Sequence, residues 1–130
     1  MNELPRHNID EFKTHFQGKV ILPDEEEYDE VRQIWNAMID RRPALIARCT
    51  SAEDVVQAIE FGRKQNLLIS IRGGGHNIAG NAVCDDGLMI DLALMKEVVV
   101  DLNTQRASVE PGCTLNDFDE AAQVHGLATP

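Results

Sequence analysis

The chain has 130 residues and a formal net charge of −10, from 12 Lys and Arg against 22 Asp and Glu. That length suits one small domain, and its scattered cations form no basic stripe, so no nucleic-acid partner is expected. No apolar run approaches the roughly 20 residues a bilayer span needs, and Met1–Arg6 lacks a secretory apolar stretch, so the chain reads as cytoplasmic with no membrane partner.

Ile9, Phe12 and Phe16 recur at helical spacing and predict a short amphipathic helix closed by Gly18. Val20–Leu22 reads as an extended segment running into Pro23. Asp24 is placed to cap the next helix, and the run Asp24–Glu27 suits a positive helix start rather than chemistry. Tyr28, Val31, Ile34, Trp35, Met38 and Ile39 form one apolar stripe, with Trp35 read as core packing rather than a stacking platform. Pro43 ends that helix, because the residue before proline avoids the α region. Residues 1–41 thus read as a helical lead-in, and 42–130 as the main unit.

Ala44–Cys49 predicts a strand. Ser51 or Thr50 caps the following helix, with Asp54 three residues beyond Ser51. Val55, Val56, Ile59 and Phe61 give that helix a broad buried face, and Asn66 stops it. Leu67–Ile71 returns as a strand, completing a βαβ unit expected to have parallel neighbours and a right-handed crossover. Leu88–Leu92 is the next strand. Asp91 stands inside it among apolar residues, where a carboxylate needs a backbone N–H or an arginine, so it reads as a brace. Glu97–Asp101 and Arg106–Glu110 predict a hairpin around Asn103-Thr104. Pro111-Gly112 turns the chain, and Thr114 caps a last helix with Leu115, Phe118, Ala121, Ala122 and Val124 facing inward. Gly126 ends it, with His125 near its negative pole. His7 and His15 read as surface residues. The expected class is α+β, α/β-like, with a small partly parallel sheet and flanking helices.

The cysteines, Cys49, Cys84 and Cys113, are odd in number and widely spaced, so no disulfide framework is implied. No Cys-x-x-Cys or His-x-x-x-His pair occurs, and no metal site is expected. Cys49 reads as a small buried residue, Cys84 as an exposed loop thiol, and Cys113 as part of a tight bend.

The most informative stretch is Arg72-Gly73-Gly74-Gly75-His76-Asn77-Ile78-Ala79-Gly80. A strand opening into successive glycines bares backbone N–H groups to an anion. No Lys-Ser/Thr pair follows, which excludes a P-loop. A dinucleotide fingerprint starting at Gly73 would need glycine where Ile78 stands. Asn77–Gly87 reads as an extended loop, with Gly80, Asn81, Asp85, Asp86 and Gly87 as turn residues. Arg72 reads equally as a phosphate contact or as a loop brace on a carboxylate.

These landmarks occur in a characteristic order: Pro23 with Tyr28, Arg32-Gln33-Ile34-Trp35-Asn36, Pro43–Cys49, Ser51–Val55, Arg72–Gly80, Leu88–Leu92, Pro111-Gly112 and Gly126–Pro130. From about Gly18 to Pro130 the chain resembles the N-terminal part of the PCMH-type FAD-binding domain of FAD-linked oxidases. These are the 6-hydroxynicotine oxidase and berberine bridge enzyme-like flavoproteins. The resemblance implies that the backbone of Gly73, Gly74, Gly75, His76 and Asn77 faces the FAD diphosphate, with Arg72 and Gly80 completing the cofactor-binding set. It also implies a covalent bond from His76 to the 8α-methyl of the flavin, which raises the reduction potential.

The parent protein is then expected to be an FAD-dependent oxidoreductase. It would oxidise a small organic substrate by hydride transfer to flavin, with O2 as acceptor. In such proteins the catalytic base and substrate pocket lie in later segments, so no catalytic residue is named here. The chain reads as a first FAD-binding subdomain truncated before the second subdomain and the substrate domain, and as inactive alone. None of its cysteines matches a second flavin attachment, which leaves single and double attachment both open. One alternative is a truncated domain that folds without flavin and self-associates as a homo-oligomer through its exposed surface. Another is a phosphate- or nucleotide-binding module unrelated to redox, which leaves the matches at Trp35 and Pro111-Gly112 unexplained.

Overall fold

The computed structural model describes residues 3–130. The element order is α1 (Arg6–His15), β1 (Lys19–Ile21), α2 (Tyr28–Val31), β2 (Leu45–Arg48), α3 (Ala52–Lys64), β3 (Ile69–Arg72), β4 (Leu88–Asp91), β5 (Val98–Asp101), β6 (Arg106–Val109) and α4 (Leu115–Gln123). A four-stranded sheet has the order β1-β2-β4-β3, and β5-β6 form a separate hairpin. β1 runs antiparallel to β2, while β2, β4 and β3 are mutually parallel. The α+β expectation therefore holds. The βαβ unit has parallel strands, but they are not neighbours, because β4 lies between β2 and β3.

The sheet is covered on both faces, as buried parallel strands require. On one face Val20, Leu45, Ala47, Leu88 and Ile90 meet α1 and α3 through Ile9, Phe12, Ala58 and Phe61. The Phe12 and Phe61 rings stack with centroids 4.5 Å apart. On the other face Ile21, Ile46 and Met89 pack against Tyr28, Val31 and Val83. The Tyr28 hydroxyl donates to the Pro43 carbonyl at 2.5 Å. Burial raises the Tyr28 pKa, and the Arg42 and Arg32 guanidiniums oppose that shift.

Capping at α3 and α4 follows the sequence reading. Ser51 Oγ accepts from the Asp54 N–H at 3.2 Å. Thr114 and Asp117 exchange bonds in a capping box. Buried Asp54 also accepts from the N–H groups of Gln17 and Thr50 and from the Thr50 hydroxyl. This ties the α1–β1 connection to the start of α3.

Several expectations fail. α1 ends at His15, with extended Phe16 at its C-cap, so Gly18 does not close it. Asp24 caps nothing: Glu27 occupies the N-cap position of α2 without a side-chain bond, and the Glu25 carboxylate accepts from the Leu22 N–H at 2.6 Å. The acidic run is thus a turn held by Glu25. The expected long second helix stops after Val31. Beyond it the Asn36 side chain accepts from the Met38 N–H at 3.2 Å, a local bond that competes with helical pairing. Val56 is exposed, so the buried face of α3 is narrower than read. On α4 only Ala122 is buried, while Leu115 and Val124 are exposed. That helix lies against β5 of a two-stranded ribbon, which offers too little surface to cover its apolar side. Cys84 is buried rather than exposed, with Ser70 Oγ 3.3 Å from its sulfur. Cys49 is buried as expected, and desolvation, with the Asp54 and Asp91 carboxylates, pushes its thiol up to about 12.

Candidate functional site

The candidate site forms where β3 ends. Arg72 is the last strand residue, and Gly73 begins the loop at the carboxyl edge of the parallel sheet. Open parallel sheets bind ligands at that edge.

Beneath the loop lies a charged rung across three strands. Arg48, Asp91 and Arg72 are register partners on β2, β4 and β3. Arg48 Nε donates to Asp91 Oδ2 at 2.9 Å, and Arg72 Nε to Oδ1 at 3.1 Å. Arg72 Nη2 lies 3.0 Å from Oδ2, and the Ala93 N–H donates to Oδ1 at 3.1 Å. Asp91 is completely buried and fully partnered. Its reading as a brace holds, and of the two readings of Arg72 the structure shows the brace. Two guanidiniums on one carboxylate leave an excess positive charge under the loop, in a chain of net charge −10.

The loop itself presents unpaired donors. Among the described residues, no backbone N–H from Gly73 to Ala79 donates to a protein acceptor. Gly75 has φ +74°, a conformation an L side chain resists. A Cβ on Gly73 would stand 2.5 Å from the Pro111 carbonyl oxygen, so the Pro111-Gly112 bend backs the loop directly. Asn77 turns the chain inward: its carbonyl accepts from Gly80 N–H at 3.1 Å and its side chain from Asn81 N–H at 3.1 Å. His76 and Asn77 are exposed, and Gly80 is buried against Ile39.

A second segment grips the loop, and the sequence reading missed it. Arg72 Nη1 donates to the Gln33 carbonyl at 2.8 Å. Trp35 N–H donates to the Gly75 carbonyl at 3.0 Å, and Asn36 Nδ2 to the Ile78 carbonyl at 2.9 Å. Arg41 Nη1 donates to the carbonyls of Gly80 at 2.7 Å and Val83 at 3.1 Å. Gln33, Trp35, Asn36 and Arg41 therefore bond to the glycine loop and the residues after it, and the segment does not continue as helix. Trp35, expected in the core, is 76 % exposed, and its ring centroid lies 5.4 Å from that of His76. Met38 and Ile78 are exposed nearby in sequence. The signal available in the sequence is Asn36 in the middle of the supposed helix.

Chemically, the arrangement offers an anion a row of N–H donors and a local cation excess, with an imidazole at its rim. Among the described residues no group of side chains is fit to hold a metal ion, and no helix is long and apolar enough to cross a membrane.

Comparison with known proteins agrees with this geometry. Residues 43–130 match the family model described as FAD binding domain. The chain is 40% identical over 112 residues to (R)-6-hydroxynicotine oxidase of Paenarthrobacter nicotinovorans, covering 86% of this chain and 24% of that protein. An FAD-linked oxidoreductase of Dictyostelium discoideum is 33% identical over 123 residues, covering 94% of this chain and 27% of that protein. Among solved structures, 6-hydroxy-D-nicotine oxidase from Arthrobacter nicotinovorans superposes with a TM-score of 0.83 at 40% identity, over 87% of this chain and 25% of that one. BBE-like 1 of Physcomitrella patens shares the fold, with a TM-score of 0.84 at 21% identity, over 91% of this chain and 26% of that one. The chain thus spans about a quarter of the length of the relatives it matches. With the glycine loop, its charged rung and the Pro111-Gly112 bend inside the matched region, the chain belongs to the FAD-binding domain family of FAD-linked oxidoreductases.

Proposed function

We propose that this chain is the diphosphate-binding half of the flavin site in an oxidase that acts on a small organic substrate. The row of unpaired N–H groups from Gly73 to Ala79, above the Arg48–Asp91–Arg72 rung, carries the reading. Gly73, Gly74, Gly75, His76 and Asn77 hold the diphosphate through backbone donors. Arg72 and Gly80 act from behind: Arg72 joins the sheet to Gln33, and Gly80 lets Ile39 and Arg41 close against the loop. The cradle fits an anion of this kind, since its donors lack protein partners and its charge is locally positive.

His76 stands at the exposed rim, where a ring nitrogen can bond to the 8α-methyl carbon of the flavin. The bound FAD supplies the redox chemistry, accepting a hydride from a C–H bond beside oxygen or nitrogen, with O2 taking the electrons. The protein chain supplies position and electrostatics. The cytoplasm is the compartment proposed for the whole protein.

Intact mass and a visible spectrum after acid precipitation test this reading, on the longest open reading frame that contains the chain. Flavin mass retained by wild type and lost in His76→Ala is the expected result. Colourless wild-type protein that binds no FAD contradicts the reading. A yellow supernatant over bare protein keeps the diphosphate site and removes the covalent role of His76.

A further inference from the structure

Trp35 is an anomaly for a tryptophan: it is the only one in the chain, three-quarters exposed, and it lies beside the imidazole at the rim of the glycine loop. Its position is not left to chance. Its backbone N–H is bonded to the Gly75 carbonyl at 3.0 Å, one residue before His76. The next side chain, Asn36, donates to the Ile78 carbonyl at 2.9 Å, two residues after His76. The segment thus brackets His76 on both sides in sequence, and the indole sits against the imidazole with rings tilted by 38°.

Gly74 supplies another boundary. A Cβ there would stand 2.8 Å from His76 Cδ2, so the imidazole lies close over the Gly74 backbone. Among the described residues, no hydrogen bond to a protein group holds the imidazole nitrogens. Its orientation therefore rests on packing against Trp35 and Gly74. Aromatic pairs at such separations contribute about 0.5–1.5 kcal/mol beyond area burial, which is enough to bias one orientation of an otherwise mobile ring.

We propose that Trp35 is a positioning residue for His76, holding the imidazole in the orientation from which it bonds to the flavin. Its removal slows attachment while leaving reversible FAD binding largely intact. This inference rests on the proposed covalent role of His76. Forming the C–N bond takes one proton from the 8α-methyl carbon and one from the imidazole. The electron pair of the broken C–H bond and both protons remain with the ring system, and dioxygen then removes two electrons and two protons as hydrogen peroxide. Trp35 takes no part in these transfers. It acts on the fraction of time the nitrogen faces the carbon, so its effect on the rate is the roughly two- to twelvefold that this orientational bias represents.

The test compares wild type, Trp35→Ala, Trp35→Phe and His76→Ala in the longest open reading frame that contains the chain. Apoprotein is mixed with FAD, acid-quenched at intervals and weighed, and the reversible Kd for FAD is measured in the His76→Ala background with and without Trp35→Ala. In the apoprotein, the His76 ring proton resonances are followed by NMR. The inference expects attachment slowed roughly two- to twelvefold in Trp35→Ala, with most of the rate restored by Trp35→Phe. The FAD Kd should change by less than about threefold, an effect below 1 kcal/mol. The upfield ring-current shift at His76 should collapse in Trp35→Ala. Attachment at the wild-type rate in Trp35→Ala overturns the inference. So does a parallel loss of FAD binding that Trp35→Phe fails to rescue, which would make Trp35 merely structural. Wild-type protein that never acquires covalent flavin overturns the reading of His76 itself and the inference with it.

Discussion

Replacing Asp91 with asparagine removes one charge from the centre of the rung that supports the glycine loop. The carboxylate is fully buried and partnered by Arg48, by Arg72 through two nitrogens, and by the Ala93 N–H. Asparagine keeps the volume but leaves two guanidiniums facing each other across a neutral amide. Removing one partner of a buried ion pair costs about 3–5 kcal/mol. The Arg48 and Arg72 side chains are only 22% and 12% exposed, so water relieves little of this, and about 3 kcal/mol is the conservative figure. For 130 residues the unfolding entropy near 60 °C is about 0.27 kcal/mol/K, so the loss corresponds to a Tm lower by about 11 °C. Circular dichroism melts, with urea midpoints as a check, give the number. A second copy of the substitution in an Arg48→Gln background should cost visibly less, because the guanidinium it orphans is gone. An Asp91→Asn variant melting within about 2 °C of wild type would refute the electrostatic account of the rung.

Other consequences are local. Only Cys113 should react with Ellman's reagent in native protein, because Cys49 and Cys84 are buried, and all of the thiols should react in urea. Cys49 also sets an alkaline limit. Its thiol is held protonated up to about 12, so its stabilisation is intact below the unfolded thiol pKa of about 8.5 and is lost as pH rises towards 12. Urea midpoints should fall over that window in wild type and fall less in Cys49→Ala. Asp117 has the opposite sign: the Thr114 backbone N–H, then its hydroxyl, and more weakly Lys96, hold its carboxyl below the usual range. Its contribution is present above about pH 4 and is lost as pH falls through the depressed value. Asp117→Asn should therefore lower the melting temperature at neutral pH and flatten its decline in acid. A variant with the wild-type acid profile would count against the capping box as its source.

The parts of the fold legible in the sequence were those set by local chemistry. Ser51 and Thr114 announced helix starts that their hydroxyls make. The hairpin Val98–Val109 followed from two β-rich runs around Asn103-Thr104. Asp91 showed itself as a charge in an apolar strand, although its partners, one on each neighbouring strand, become visible only when β4 inserts between β2 and β3. What the sequence hid was segment 33–41. Its apolar residues fall at helical spacing, and periodicity alone cannot reveal that Gln33, Trp35 and Asn36 bond to a loop some 40 residues later. Trp35 was misplaced for that reason. Apolar character predicts burial in the core, but here the indole is exposed beside the His76 ring. Cys84 differs from expectation on similar grounds: a loop position suggests an exposed thiol, but its sulfur sits between Ser70 and the carbonyl of Leu88. The glycine run was readable because its meaning is local: bare N–H groups and one left-handed residue, Gly75.

The central claim is that the Gly73–Asn77 backbone recognises the FAD diphosphate. Its most direct test is the reversible affinity for FAD and for riboflavin, which lacks phosphate, in His76→Ala protein with and without Gly75→Ala. Alanine at φ +74° costs about 1–2 kcal/mol or displaces the N–H groups. The account predicts clear preference for FAD over riboflavin, and a loss of FAD affinity on the order of tenfold in Gly75→Ala with riboflavin binding unchanged. Equal affinity for the two ligands, or FAD binding indifferent to Gly75→Ala, would place the diphosphate elsewhere and contradict the account.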